Sequence, residues 1–223
     1  MESLETGAAA RTRKLPTQQR SRERVERILA ATTSLIEEAG SDALRMSDVA
    51  ERAYISIGSL YQYFPDKGSI VRTLAERFNE CGRVCVADGL REVHSVADLR
   101  YGLAMLIDLY YQMYRDDPVI IDIYSGTRAD RALKDLEIDD CRQNAALLQT
   151  ALQRIWPERD AISLATTSLL FMELSTAVVR LATSVSDAEG KALITEFKRL
   201  VDAQYALEDS TSVDLDRPGN LLD

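Results

Sequence analysis

Apolar side chains recur every three or four residues along most of this chain, which is the spacing of one face of an α-helix. The first such stripe predicts a helix over residues 21–39, capped by Ser21 and ended by Gly40. Two short helices follow within residues 46–64, and a longer helix covers residues 67–89. We find no strand-like alternation flanked by turn residues, so the pattern predicts an all-α fold.

The second half of the sequence also predicts one helix after another. The predicted ranges are residues 95–116, 118–125, 129–156, 160–185 and 187–208, and residues 209–223 form a polar tail. The helix over residues 95–116 is apolar nearly all round, which indicates that it is buried. The helix over residues 67–89 would span about 30 Å and link the two parts of the chain mechanically.

The two short helices fit a pair that crosses over a tight turn, the geometry with which many proteins read DNA. In the second of them, Leu60 and Phe64 lie four residues apart on one face and point inward. Ser59, Gln62 and Tyr63 point away from that face and offer hydroxyl and amide groups to a groove or to phosphates. This segment is therefore the candidate for DNA recognition.

Two more residues of the second short helix favour the same interpretation. Ser56 is placed to cap this helix, whose amino end is then directed at a phosphate. Gly58 costs a helix about 1 kcal/mol relative to alanine, and a close approach of the sugar-phosphate backbone would account for that cost. The alternative for Gly58 is a weakness tolerated in a helix that tertiary contacts hold in place.

Charge is distributed unevenly along the 223 residues, whose formal net charge is −9. Residues 1–80 contain 12 basic and 12 acidic side chains, whereas residues 81–223 contain 15 and 24. The acidic total disfavours a nucleic-acid partner, but basic side chains cluster ahead of the short helices. This basic arm is predicted to contact DNA through Arg11, Arg13, Lys14, Arg20 and Arg22. The alternative is a solvated tail without a DNA contact.

The run AERAYISIGSLYQYFPDK, residues 50–67, resembles the signature of the tetracycline-repressor (TetR) family of transcriptional regulators. The resemblance extends over residues 21–81 and implies a three-helix head with a helix-turn-helix, followed by a helical lobe for ligand binding and dimerisation. It also implies DNA contacts by Ile57, Ser59, Tyr61, Gln62, Tyr63 and Lys67. In this assignment Tyr61 and Lys67 bind phosphates. Base edges or thymine methyl groups are contacted by Ile57, Gln62 and Tyr63.

The chain departs from the family pattern at two positions. Tyr54 stands in the turn where the family usually has glycine, so the turn is expected to be reshaped or Tyr54 to add a contact. Arg45 stands where the family often has a capping Ser or Thr. We expect Arg45 to contact a phosphate and Ser47 to take over the capping role, so both are counted among the DNA-binding candidates.

The resemblance further implies a small-molecule pocket and a dimer interface in the second lobe. The candidate pocket residues are Tyr101, Met105, Asp108, Tyr111, Tyr124, Phe171 and Met172. Such a lining would suit an apolar or amphipathic molecule, or a cationic one if Asp108 or Glu173 faces inward. The candidate dimer residues are Leu164, Ser168, Ser175, Val178, Leu181, Phe197 and Val201, with packing inside the protomer as the alternative for part of this set. Glu173 is expected to form a structural ion pair with Arg180.

These observations predict four regions: a flexible basic arm (1–20), a DNA-binding domain (21–81), a ligand-binding and dimerisation domain (82–208) and a polar tail (209–223). The predicted function is a repressor that binds a near-palindromic double-stranded DNA operator as a homodimer and is released by a small molecule. A ligand would act by tilting the helix over residues 67–89. One alternative is a helical ligand-binding or adaptor protein without DNA recognition.

Other functional classes find little support in the sequence. His94 is the only histidine, and no nucleophile elbow, phosphate loop or His/Cys metal spacing occurs, so we predict no enzyme, no metal and no cofactor. Cys81 and Cys85 lie four residues apart, which keeps a thiol-based redox sensor as a second alternative. No apolar span approaches the roughly 20 residues that cross a bilayer, and we expect a cytoplasmic protein without a membrane partner.

Overall fold

A computed structural model describes residues 14–125 and 131–215, and every regular element within those ranges is a helix. The helices are α1 (Lys14–Ala39), α2 (Met46–Arg52), α3 (Ile57–Tyr61), α4 (Lys67–Arg91), α5 (Val96–Asp116), α6 (Pro118–Ser125), α7 (Arg131–Ile155), α8 (Ala161–Ser184) and α9 (Asp187–Leu215). The chain divides into two compact units between residues 74 and 75, inside α4. The all-α prediction is confirmed.

The first unit is a small helical head built on α1, α2, α3 and the beginning of α4. Its core is formed by side chains that are almost completely buried: Ile28, Leu29, Ile36, Val49, Leu60 and Ile70. Gly40 ends α1 with a φ of 78°, a left-handed conformation that glycine adopts without a steric penalty, and its N–H donates to the Ile36 carbonyl at 2.8 Å. The predicted stop at this residue is therefore confirmed.

The second unit consists of the rest of α4 together with α5 to α9. Its main core joins α4, α5, α7, α8 and α9 through Leu90, Leu99, Leu103, Leu148, Leu152, Leu164 and Tyr205. Local signals fix where its helices begin, because Ser95 and Asp98 form a capping box at α5 and Asp160 accepts from the Ser163 N–H at α8. At Gly190 a Cβ would lie 2.3 Å from the Ala182 carbonyl oxygen, so glycine allows α9 to approach α8 closely.

Two helix bounds differ from the sequence prediction by more than two residues. Helix α1 begins at Lys14, so Ser21 lies inside the helix and does not cap it. Helix α9 continues to Leu215, beyond the end expected at residue 208. Both extensions have few apolar residues in the sequence, so the apolar stripe did not indicate them. Arg11, Arg13 and the predicted helix start at residue 129 lie outside the described residues.

One described helix, α8, is long and apolar enough to cross a bilayer by length and composition, with a mean hydropathy of 1.6 in its most apolar window. The expectation that no apolar span approaches this length is therefore wrong. A single such helix is weak evidence for a membrane protein, and only 22% of that window is buried within the protomer. The exposed apolar side chains of α8 thus need a covering surface of some kind.

Candidate functional site

The turn between α2 and α3 is closed by backbone hydrogen bonds, although Tyr54 stands at its left-handed position. Tyr54 has a φ of 55°, and its N–H donates to the Glu51 carbonyl at 3.0 Å. The following N–H, of Ile55, donates to the Ala50 carbonyl at 3.0 Å. Tyr54 is 90% exposed, so its ring makes no packing contact that would offset a steric cost of roughly 1–2 kcal/mol. The turn is therefore not reshaped, and a tyrosine occupies the left-handed position.

The amino ends of α2 and α3 are capped differently. Ser56 is the N-cap of α3 and accepts a hydrogen bond from the Ser59 N–H at 3.2 Å, as predicted. Arg45 is the N-cap of α2 and its side chain makes no capping hydrogen bond. The prediction that Ser47 replaces this cap is wrong, because Ser47 already lies inside the helix and its hydroxyl donates to Asp48 Oδ1 at 2.9 Å.

The outward surface of α3 carries side chains that take no part in the core. Ile57 is 44% exposed, Tyr61 is 52% exposed, and Gln62 and Gly58 are exposed as well. A Cβ at Gly58 would meet nothing within 4 Å, so the fold of the head does not require a glycine there. On the opposite side Leu60 is fully buried. The helix therefore presents an amide, a phenol and an aliphatic group to solvent on a rigid support.

Ser59 and Tyr63 are less free than the sequence pattern suggests, since both are half-buried against α1. Arg24 of α1 donates from Nη1 to Ser59 Oγ at 3.4 Å, and its guanidinium lies 6.0 Å from the Tyr63 ring centroid. Sequence reasoning missed this role of Arg24. The available signal was its position four residues before the buried Ile28, on the core-facing side of α1.

The remaining basic candidates lie on α1 and at the start of α4. Lys67 is exposed and donates from Nζ to the Asp42 carbonyl at 3.2 Å. Arg20 and Arg22 are exposed on α1. Lys14 begins that helix, but its side chain is outside the described residues, as are Arg11 and Arg13. These positions leave Arg20 and Arg22 as the arm residues whose side chains are accessible to a partner.

A cavity of about 100 Å³ lies within the second unit, bounded by helices α4 to α8. Its apolar and aromatic walls include Phe78, Val86, Leu106, Tyr110, Met113, Tyr114, Tyr124, Phe171 and Met172, and its polar walls include Asn79, Glu137, Asp140, Cys141, Asn144, Glu173 and Thr176. Gly82 of α4 also lines it, and a Cβ there would meet nothing within 4 Å. The lining, which is mostly apolar with a few polar groups, has the composition typical of small-molecule sites.

Three of the predicted pocket residues line this cavity, namely Tyr124, Phe171 and Met172. Four others do not. Tyr101 and Met105 are 70% and 51% exposed, and Asp108 accepts from Lys198 Nζ at 2.7 Å on the surface. Tyr111 is buried elsewhere and lies under the Arg115 guanidinium, 5.6 Å from the ring centroid. The other stripe of α5, with Leu106, Tyr110, Met113 and Tyr114, faces the cavity instead.

Four aromatic rings form one cluster in the cavity wall. Phe78 lies 5.8 Å from Tyr114 and 6.1 Å from Tyr124, and Tyr110 lies 4.9 Å from Tyr114, all measured between ring centroids. The Tyr110 hydroxyl donates to the Tyr114 hydroxyl at 3.2 Å, and the Tyr124 hydroxyl donates to Asn79 Oδ1. Burial raises the pKa of all three phenols, so they stay neutral at physiological pH.

The acidic side chains of the wall have different partners. Arg180 Nη1 lies 2.6 Å from Glu137 Oε1, and Arg83 forms an ion pair with Asp140. The expected pair of Glu173 with Arg180 is therefore wrong, since Arg180 reaches across to α7. Burial raises the pKa of Asp140 against the opposing effect of Arg83. Burial, together with the charges of Glu173, Asp140 and Glu137, raises the pKa of the Cys141 thiol to about 11.

The other cysteines resemble ordinary helix residues more than a reactive site. Cys81 is exposed and Cys85 is half-buried on α4. Burial, with a smaller effect of Cys81, raises the pKa of Cys85, which lowers its thiolate fraction. Within residues 14–125 and 131–215 no group of three or more ligating side chains is placed to hold a metal ion.

The candidate dimer residues separate into two groups. Leu164, Ser168 and Ser175 are buried inside the protomer, which excludes them from its surface and corrects their assignment. Leu181 is exposed, whereas Val178, Phe197 and Val201 are half-buried. We use the name α8 face for the exposed apolar side chains of α8 and its end: Ile162, Leu169, Leu170, Leu174, Leu181 and Val185.

Comparison of the sequence with models of known protein families indicates the class of protein to which this chain belongs. Residues 28–74 match the family model described as "Bacterial regulatory proteins, tetR family", and residues 97–208 match "Tetracyclin repressor-like, C-terminal domain". Together with a helix-turn-helix head and an all-helical second unit, these matches define a DNA-binding transcriptional regulator. The chain belongs to the TetR family, whose members bind DNA and ligands, are commonly dimeric and are generally not enzymes.

Individual TetR-family relatives differ in their sequence identity to this chain and in how much of it they match. A TetR-family regulator of Streptomyces coelicolor is 30% identical, with a TM-score of 0.61 over 83% of this chain and 96% of that one. A TetR-family regulator of Pectobacterium atrosepticum has a TM-score of 0.63 over 87% and 95%, but at 18% identity it shows the fold alone. The HTH-type transcriptional repressor KstR of Rhodococcus jostii is 47% identical over 58 residues, about a quarter of either chain.

Proposed function

We propose that this protein is a cytoplasmic repressor that binds a near-palindromic operator as a homodimer and is released by a small molecule in the cavity. The observation that carries the proposal is the outward surface of α3, where Ile57, Tyr61 and Gln62 are exposed on a helix that Leu60 anchors in the core. Polar and aliphatic groups held rigidly at a surface are what base and phosphate recognition requires.

The DNA contacts follow from this surface. Gln62 and Ile57 are assigned to base edges and thymine methyl groups, and Tyr61 and Lys67 to phosphates. Exposed Arg45, Arg20 and Arg22 add phosphate contacts beside the groove. Ser59 and Tyr63 act mainly by holding α3 against Arg24. Repression as the direction of control is supported by the short, highly similar segment shared with the repressor KstR.

Dimerisation is assigned to the α8 face. Its exposed leucines are too many for an unpartnered surface of a soluble protein, and a twofold pair would bury them against a copy. Two α3 helices, one from each protomer, would then enter major grooves about 34 Å apart. This arrangement requires an operator whose two halves are related by a dyad.

We assign release from the operator to a movement of α4, because this helix contributes side chains to both units. Ile70 and Val71 belong to the core of the head, whereas Phe78, Asn79 and Gly82 line the cavity two to three turns further along the same helix. A ligand that favours one position of α4 changes the free energy of operator binding by its difference in affinity between the two states.

The test is an electrophoretic mobility shift with DNA that flanks the gene for this protein. The wild-type chain is expected to shift a specific fragment, and Tyr61→Ala is expected to weaken binding about tenfold, because the variant cannot make the phosphate contact. Tyr101→Ala is the matched control, since Tyr101 is another exposed tyrosine but lies in the second unit.

Absence of any specific shift by the wild-type protein would contradict DNA recognition altogether. An equal loss of affinity in the Tyr61 and Tyr101 variants would contradict the assignment of α3 as the recognition surface. Circular dichroism of each variant distinguishes a weaker DNA interaction from a disrupted fold.

A further inference from the structure

The charged side chains that line the cavity are all acidic. Glu137, Asp140 and Glu173 contribute carboxylates, and no Lys or Arg lines the cavity among the described residues. Two of these charges are balanced from behind the wall, because Arg180 pairs with Glu137 and Arg83 pairs with Asp140. The paired arginines are not among the residues that face the cavity, so they neutralise the wall without offering a cation to an occupant.

Glu173 is the acidic residue of the wall left without a countercharge in the described part of the chain. It is solvent-exposed and also lines the cavity, so a molecule that enters from water meets its carboxylate. Its charge acts on the cavity, since Glu173 is the largest electrostatic contribution that raises the pKa of the Cys141 thiol. The carboxylate of Glu173 therefore places an acidic group without a countercharge in the cavity wall, close to Cys141.

A buried amide gives a second, independent sign of a ligand. Asn79 is 5% exposed and lines the cavity, and its Oδ1 accepts the hydrogen bond from the Tyr124 hydroxyl. With Oδ1 facing the Tyr124 hydroxyl, Nδ2 is the end of the amide that points away from this bond. Nδ2 has no hydrogen-bond partner among the described residues. A buried donor of this kind is satisfied when an occupant supplies an acceptor.

The aromatic cluster, like the carboxylate of Glu173, favours a positive charge on a molecule in the cavity. The ring centroids in this cluster lie about 6 Å or less from those of their neighbours: Phe78, Tyr110, Tyr114 and Tyr124. The phenols of the three tyrosines are neutral. Faces of aromatic rings carry negative partial charge and attract ammonium groups, the more so where water is excluded. The rings also offer an apolar surface to the body of a molecule.

We propose that the effector which occupies this cavity is a lipophilic cation. It has an apolar or aromatic body against the cluster of rings, an ammonium group near Glu173 and a hydrogen-bond acceptor that reaches Asn79 Nδ2. The proposal rests on the proposed function in taking this molecule as the releasing ligand. An anionic ligand is disfavoured, because its charge would face the uncompensated carboxylate of Glu173, and no Lys or Arg in the described part of the wall would pair with it.

The experiment compares three probes of similar length that differ in charge, namely 4-phenylbutylamine, 4-phenylbutanol and 4-phenylbutyrate. Their binding to the full chain without DNA is measured by isothermal titration calorimetry at pH 7.5. The amine is expected to bind about tenfold more tightly than the alcohol, and the carboxylate more weakly than both. In Glu173→Gln the amine is expected to lose most of this advantage while the affinity for the alcohol stays the same.

Glu158→Gln is the matched control, because Glu158 is an exposed glutamate outside the cavity wall and should leave all three affinities unchanged. Equal affinities of amine and alcohol, preference for the carboxylate, or no binding of the amine would each overturn the assignment of a cation. These results concern the cavity alone, whereas a failed mobility shift concerns DNA recognition, so the two proposals fail separately.

Discussion

Tyr54 holds a left-handed backbone conformation in the turn between α2 and α3, where most side chains meet a steric penalty. Replacement by glycine removes the clash of the Cβ atom, and we expect Tyr54→Gly to stabilise the head by about 1 kcal/mol after the greater chain entropy of glycine is subtracted. Hydrogen exchange of the α2 and α3 amides measures this local stability, with slower exchange expected.

Tyr54→Ala is the control for that experiment, since it removes the exposed ring but keeps the strained Cβ. If alanine protects these amides as much as glycine does, the ring and not the backbone is the source of the strain.

A Cβ at Gly58 would meet nothing within 4 Å in the protomer, so alanine fits there without displacing a neighbour. We expect Gly58→Ala to leave the head as stable as before or to stabilise it by up to about 1 kcal/mol, because alanine is the better helix former. The same methyl group would obstruct close approach of a sugar-phosphate backbone and weaken operator binding. Thermal unfolding and a mobility shift on one sample give both quantities. Unchanged DNA affinity would favour the tolerated-weakness alternative.

At the scale of the element, α8 exposes more apolar surface than a solvated helix should. We expect the double variant Leu170→Glu and Leu174→Glu to leave the protomer folded but to prevent its association, because carboxylates cannot be buried unpaired in an interface. Light scattering after size exclusion should then give 24.9 kDa in place of twice that mass.

Ile138→Glu on α7 is the control for the dimer, as it also adds a charge at an exposed apolar position. A wild-type protein that runs as a monomer, or a variant that stays dimeric, would contradict the assignment of the interface to α8.

Helix bounds were predicted best where a single residue determines them. Gly40 ends α1, and Ser56 and Ser95 begin α3 and α5, because a left-handed φ or a side-chain cap depends on local sequence. The polar ends of α1 and α9 were missed, since few apolar residues mark them.

The residues of the candidate site could be predicted where the apolar and polar residues of a helix lie on separate faces. On α3, Leu60 is anchored and Tyr61 is exposed, as the pattern indicates. On α5, apolar residues occur all round, so periodicity could not tell whether Tyr101 or Tyr110 faces the cavity. Likewise the partner of Arg180 could not be read from α8 alone, because Glu137 comes from α7 through tertiary packing.

At the scale of the whole molecule, the uneven charge along the chain favours an approach to DNA by the basic residues near the amino end. We expect the double variant Arg20→Gln and Arg22→Gln to flatten the dependence of operator affinity on salt, by about 0.9 in the log–log slope for each phosphate that is no longer neutralised. Fluorescence anisotropy with labelled DNA over a range of salt concentrations measures this slope.

The control has the same total charge but loses its two arginines in the second unit, through Arg142→Gln and Arg199→Gln, both at exposed positions. If both variants flatten the slope equally, overall charge and not the basic surface of α1 governs the salt response.

The size of the side chain at position 82 determines how much of the cavity is open to a small molecule. A methyl group at that position would enter the cavity without touching any described neighbour, and it would also favour the helical backbone of α4. Selection for thermal robustness alone would therefore tend to shrink the compartment and exclude bulky guests. Glycine leaves room for larger occupants, and we expect stepwise enlargement of this residue to exclude small molecules from the cavity in the order of their size.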